Sequence, residues 1–135
     1  MEALPLRLAP GSDVRRELEA VLSGQAAQAG FVLQAIGSLS AARIRFAGLP
    51  QSTLLEGDME ILTLAGSLAP DGAHLHISVA DAAGVVRGGH VDYGCVVRTT
   101  AEVLVALLPQ HRFSREIDAT FGYLELVVRT AGDTP

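Results

Sequence analysis

The sequence predicts an α+β fold: a single domain in which a sheet-rich chain packs against one principal helix. Three observations predict it. Val14, Leu18, Val21 and Leu22 recur at helical spacing, and no later segment shows that pattern as clearly. From Phe31 onward the apolar runs are short and separated by glycine or proline, which is the punctuation of strands and turns. The chain has 135 residues, 49% of them hydrophobic, enough for one substantial core and close to the common domain size.

Taken in order, a short strand ends over Arg7 to Ala9, and Pro10-Gly11-Ser12-Asp13 breaks it while offering capping oxygens. The helix follows, with Arg15, Arg16, Glu17 and Glu19 on its polar faces, and Gly30 supplies its stop. Strands are expected at Phe31 to Ile36, Ala42 to Phe46, Glu60 to Leu64, Ala73 to Ala80, Val85 to Arg87 and Cys95 to Arg98. Thr99 to Leu108 starts β-branched and ends in alanine and leucine, so periodicity leaves it open between strand and helix. A last strand over Tyr123 to Arg129 closes a domain at 1–129, and 130–135 is expected to be a flexible polar tail.

Charge and cysteine content narrow the function classes. The net charge is −5, and the ten basic residues, all arginine, are scattered rather than gathered into a stripe, which disfavours direct nucleic-acid binding. A single cysteine, Cys95, excludes an internal disulfide and reads as a small buried hydrophobe. No basic leader before a long apolar run and no run of eighteen apolar residues is present, so a cytoplasmic protein with no membrane partner is expected.

The chemistry-bearing feature is the histidine cluster. His74 and His76 alternate with Leu75, Ile77 and Val79, so a strand would put both imidazoles on one face, with Cα atoms about 6.7 Å apart. Asp81-Ala82-Ala83-Gly84 reads as a hairpin turn that returns the chain through Gly88-Gly89 to His90. Three imidazoles meeting there form a divalent metal site with an open fourth position, and imidazole suits zinc, nickel, iron and copper alike. The plainer alternative is that these histidines satisfy hydrogen bonds at a sheet edge or subunit interface. His111, in Pro109-Gln110-His111-Arg112, reads as an exposed loop residue, and no serine has a nucleophile-elbow context.

In order, Pro10-Gly11-Ser12-Asp13, Ile36-Gly37-Ser38-Leu39, Glu60-Ile61-Leu62, His74-Leu75-His76, Gly88-Gly89-His90, Gly94-Cys95, Thr99-Thr100-Ala101-Glu102-Val103 and Gly122-Tyr123-Leu124-Glu125-Leu126 together resemble the PPC domain, plants and prokaryotes conserved, also called DUF296. The resemblance implies a strongly bent, mainly antiparallel sheet packed with one helix, usually assembled as a homotrimer. Plant members follow AT-hook segments in DNA-associated proteins. With no Arg-Gly-Arg-Pro hook, this chain resembles the stand-alone prokaryotic type, and a DNA-associated role rests on analogy alone. The plant partner-binding hexapeptide Gly-Arg-Phe-Glu-Ile-Leu stands here as Gly57-Asp58-Met59-Glu60-Ile61-Leu62, reversing a charge and removing an aromatic anchor. Ile61, Leu62 and Leu64 are still expected in the core. Phe121 stands before Gly122 where a threonine is common, leaving that hydroxyl without a counterpart.

The same broad fold looks like that of acetolactate decarboxylase, where a His-x-His pair and a later histidine hold zinc, which points to zinc at His74, His76 and His90. Two function classes follow. One is a homotrimeric binding or regulatory module holding a metal or small molecule. The other is a metal-dependent enzyme of decarboxylase or hydrolase type, which needs an acid or base and a substrate-binding cation; Glu102, Arg87 and Arg98 are the candidates by nearness in sequence.

Overall fold

The structure, a computed structural model, describes residues 1–133. Asp13 opens the only α-helix among them, α1 (Val14–Glu19): its carboxylate accepts from the Arg16 N–H at 3.1 Å and from the Gly94 N–H at 2.7 Å. The helix is shorter than the apolar spacing predicts. Ser23 turns its hydroxyl back onto the Ala20 carbonyl at 2.6 Å, and the chain tightens into a 3-10 turn over Val21–Gly24. Leu22 still reaches the core from that turn, so its helical spacing reported burial but not helix length.

The strands are β1 (Glu2–Leu8), β2 (Gly30–Arg45), β3 (Thr53–Ala69), β4 (Gly72–Asp81), β5 (Val86–Val91), β6 (Val96–Leu107), β7 (His111–Ile117) and β8 (Leu124–Thr130). The first six form one sheet in the order β1-β6-β2-β3-β4-β5, with each neighbouring pair of strands antiparallel. β2 also pairs with β5 through Ile44↔Val91 and Arg45↔His90, so β2 to β5 close on themselves. This is the bent antiparallel α+β fold.

Two expected strands, Phe31 to Ile36 and Ala42 to Phe46, are one continuous β2, carried through its bend by register shifts against β6 and by Gly37. Gly37 (φ 148°) and Gly66 (φ 154°) sit where β2 meets β6 and where β3 meets β4, and at both points a Cβ would overlap the neighbouring backbone. The ambiguous Thr99 to Leu108 is mostly strand: β6 is paired on both sides by β1 and β2 and sends Ala101, Val103 and Val105 inward. Two neighbouring strands overrode the helical preference of its alanines and leucines.

The core joins Val14 and Leu18 of α1 to Leu39, Ile44, Leu64, Leu75, Val97 and Val105 of the sheet. Each fully buried Leu or Ile contributes about 1.5–3 kcal/mol. Leu62 is a correction: it is 39% exposed while Ile61 and Leu64 are buried, because the β3–β4 register shifts between Ile61 and Thr63 and turns the extra residue outward. Cys95 is fully buried, donates its S–H to the Arg43 carbonyl at 3.4 Å, and burial pushes its thiol up to about 11.

The β7–β8 hairpin forms a separate two-stranded sheet, seated on the body through Phe113 with Ala29 and Ala69 and through an edge-on contact between Phe31 and Phe113. His111, expected in a loop, is the first residue of β7 and is exposed. Thr130 ends β8, and Ala131 and Asp133 hydrogen bond to Gln110 and Thr130; of the expected tail, residues 134 and 135 lie outside the described residues. Among the described residues no helix is long and apolar enough to cross a membrane.

Candidate metal centre

Leu75, Ile77 and Val79 are 1%, 4% and 2% exposed, and anchoring these inward residues of β4 turns His74 and His76 to the other face. The turn expected after β4 forms. The Asp81 carboxylate accepts from the Ala83 and Val85 N–H groups at 2.9 and 3.0 Å, and the Gly84 N–H donates to the Asp81 carbonyl at 2.9 Å. β5 then returns with His90 directly opposite His76. Gly88 and Gly89 make that return possible: an added Cβ would lie 2.5 Å from the Ile77 carbonyl oxygen of β4 or 2.5 Å from the Arg45 carbonyl oxygen of β2. The tandem glycines therefore admit backbone on two sides rather than forming a simple bulge.

One nitrogen from each of His74, His76 and His90 lies within 4.8 Å of the others. Ring centroids are 4.9 Å apart for His74–His76, 5.3 Å for His74–His90 and 6.0 Å for His76–His90. The donor set fits a metal. The buried His90 Nδ1 has no hydrogen-bond partner, so it is not consumed in holding the sheet together. Burial first, then the charge of Arg115, lowers the pKa of His74; burial and then Arg45 lower that of His90 to about 4. Those two imidazoles are neutral near pH 7, the form that ligates.

His74 and His90 line a cleft of about 960 Å³ that is also lined by Arg15, Arg45, Arg115 and Glu125. Sequence reading assigned none of these four to the site. Arg45 reaches the site because it pairs across from His90, and Arg115 arrives on β7, which looked like loop. The only advance signal for Arg45 and Glu125 was a charged residue within a strand-like run, which is too common to select them. The residues chosen by nearness lie elsewhere. Arg87 lines a second cavity with Glu56 and Asp81, Glu102 lies in an apolar groove with Arg7 and Ile36, and Arg98 pairs with Asp58 at 3.0 Å.

The chain is 52% identical over 134 residues to a Synechococcus protein named bifunctional protein GlmU, covering 98% of this chain and 21% of that one. It therefore spans about a fifth of the length of the curated relatives it matches. A solved hypothetical protein from Salmonella cholerae-suis superposes with a TM-score of 0.92 at 38% identity, covering 96% of this chain and 94% of its own. A metal-containing protein from Archaeoglobus fulgidus superposes with a TM-score of 0.77 at 26% identity, covering 94% of both chains. The family model of the Plants and Prokaryotes Conserved (PCC) domain matches residues 1–109, and the chain belongs to that family.

Proposed function

We propose that this protein is a binding or regulatory module whose His74, His76 and His90 hold one divalent transition metal, zinc first, with a coordination position left open for a small molecule. The observation that carries the reading is the convergence of three imidazole nitrogens within 4.8 Å, in a cluster where the buried His90 Nδ1 has no hydrogen-bond partner. A tetrahedral zinc with bonds of about 2.0–2.1 Å sets ligand nitrogens about 3.4 Å apart, so small rotations of the rings suffice to close the site. The metal-containing Archaeoglobus relative supports the same reading.

The module is proposed to assemble as a homotrimer. Leu33, Ile36 and Leu104 are 51%, 53% and 41% exposed on the outer face of β2 and β6, and further copies of the chain would cover them. A metal-dependent enzyme is the second reading, favoured by the carboxylate of Glu125 beside the cluster. Glu102, Arg87 and Arg98 line other surfaces, so neither reading assigns them chemistry.

Calorimetric titration of untagged, chelator-treated protein with zinc tests the centre. One site per chain is expected, and His90→Ala should weaken it at least a hundredfold, the loss of one of three protein ligands. Equal zinc affinity in both proteins would remove the site from these residues.

A further inference from the structure

The cleft beside the histidines holds more cationic donors than its own structure uses. Arg115 is fixed at three points: its main-chain N–H donates to both carboxylate oxygens of Asp71 at 3.1 and 3.0 Å, and its Nη2 donates to the Leu124 carbonyl at 2.8 Å. Its Nη1 is buried and has no partner. A guanidinium N–H left unpaired in a half-buried position is costly unless something else accepts from it. Arg45 forms no ion pair among the described residues, and its one side-chain contact is a 3.5 Å approach to the Leu49 carbonyl. Arg15 differs, because Glu19 at 2.8 Å and Asp92 at 3.7 Å already occupy it and the Tyr93 ring lies 4.4 Å beneath it.

We infer that Arg45 and Arg115 form an oxyanion-binding subsite, and that the cleft takes a small organic molecule carrying a carboxylate or phosphate at one end. The inference rests on the metal reading only in placing a second donor atom of that molecule on the open coordination position. Planar guanidinium groups match carboxylate and phosphate oxygens, and two of them converging on one anion bind it better than either alone. The cleft is locally basic although the whole chain carries −5: three arginines face two acids, Asp71 and Glu125, and Asp71 is occupied by the main chain of Arg115. Leu49, Pro50, Tyr123 and Leu124 supply apolar wall for a carbon skeleton, and the volume suits a small metabolite. The β7–β8 hairpin that brings Arg115 lies beyond residues 1–109, so this half of the subsite is set outside the segment matched by the family model.

The test titrates inorganic phosphate and, separately, malonate into the protein with and without zinc, with metal content measured on the same samples. Saturable binding of at least one probe is expected, weakened tenfold or more in Arg45→Gln and in Arg115→Gln with zinc content unchanged. Arg115→Lys should fall between, because it keeps the charge and loses the fork. The stronger probe identifies the anion class. Circular dichroism checks each fold, and Arg45→Gln serves as the independent variant should Arg115→Gln loosen the hairpin. No saturable binding of either probe by protein that carries zinc overturns the subsite and leaves the metal reading standing. Arginine-dependent binding by protein that retains no zinc overturns the metal reading and supports the subsite. Binding that survives both glutamine variants assigns the anion to the metal alone and overturns the role of the arginines.

Discussion

His90 shows how a single imidazole is kept in its neutral form. Burial opposes its charged form, the Arg45 guanidinium and the neighbouring His74 add to that opposition, and its pKa falls to about 4. The sign of the linkage follows. Between pH 6.5 and about 4 the unfolded chain takes up a proton on this residue that the folded, metal-free chain refuses. The stabilising contribution is thus complete above pH 6.5 and is lost as pH falls through that window. An NMR titration of the imidazole signals in metal-free protein should place the His90 midpoint far below 6.5; a midpoint at 6.5 would show the ring to be solvated rather than buried. His74 should shift in the same direction, for burial and Arg115 act on it alike. The meeting of His74, His76 and His90 was legible in the sequence because alternation on one strand and a turn of known chemistry are local signals. Arg45 and Arg115 were not, since their approach to the cluster depends on the β2–β5 pairing and on a hairpin folded back from the end of the chain. Neither pairing leaves a local trace.

At the scale of elements, the meeting of β5 with both β4 and β2 is the device that builds the centre. Gly89 is the point of closest approach, with the Arg45 carbonyl 2.5 Å and the Ile44 methyl 3.0 Å from where a Cβ would stand. Gly89→Ala should therefore destabilise the fold by about 1–3 kcal/mol, the usual range for overpacking, and also weaken zinc binding by displacing His90. Gly24→Ala, where an added methyl meets open space, is the matched control and should change stability by less than about 0.5 kcal/mol. Urea denaturation of the two variants measures both values. Strand positions were readable from short apolar runs between glycines, and strand lengths were not. β2 and β3 run far beyond their apolar centres, carried by partners on both sides, and the helix ended at Glu19, giving way to a 3-10 turn over Val21–Gly24 that periodicity does not distinguish from helix. The fate of Thr99 to Leu108 was likewise decided by its neighbours rather than by its own residues.

For the whole molecule, the outer face of β2 and β6 is an apolar surface that a single chain leaves uncovered, with Leu33, Ile36 and Leu104 exposed. Light scattering should give a particle three times the 14.1 kDa of the chain, and Ile36→Asp should shift it to a smaller species by placing a charge on the buried contact. A wild-type particle of one chain mass would leave that face for some other partner. The sheet class, the single helix and the family were all legible in the sequence, because each rests on signals spread along the chain. What the cleft binds was not, because it is assembled from α1, β2, β4, β5 and the β7–β8 hairpin at once. The account stands or falls on the metal. Elemental analysis of untagged protein purified without chelator should find about one zinc or similar divalent ion per chain, and close to none in His76→Ala. Substoichiometric metal that is unchanged in His76→Ala would contradict it.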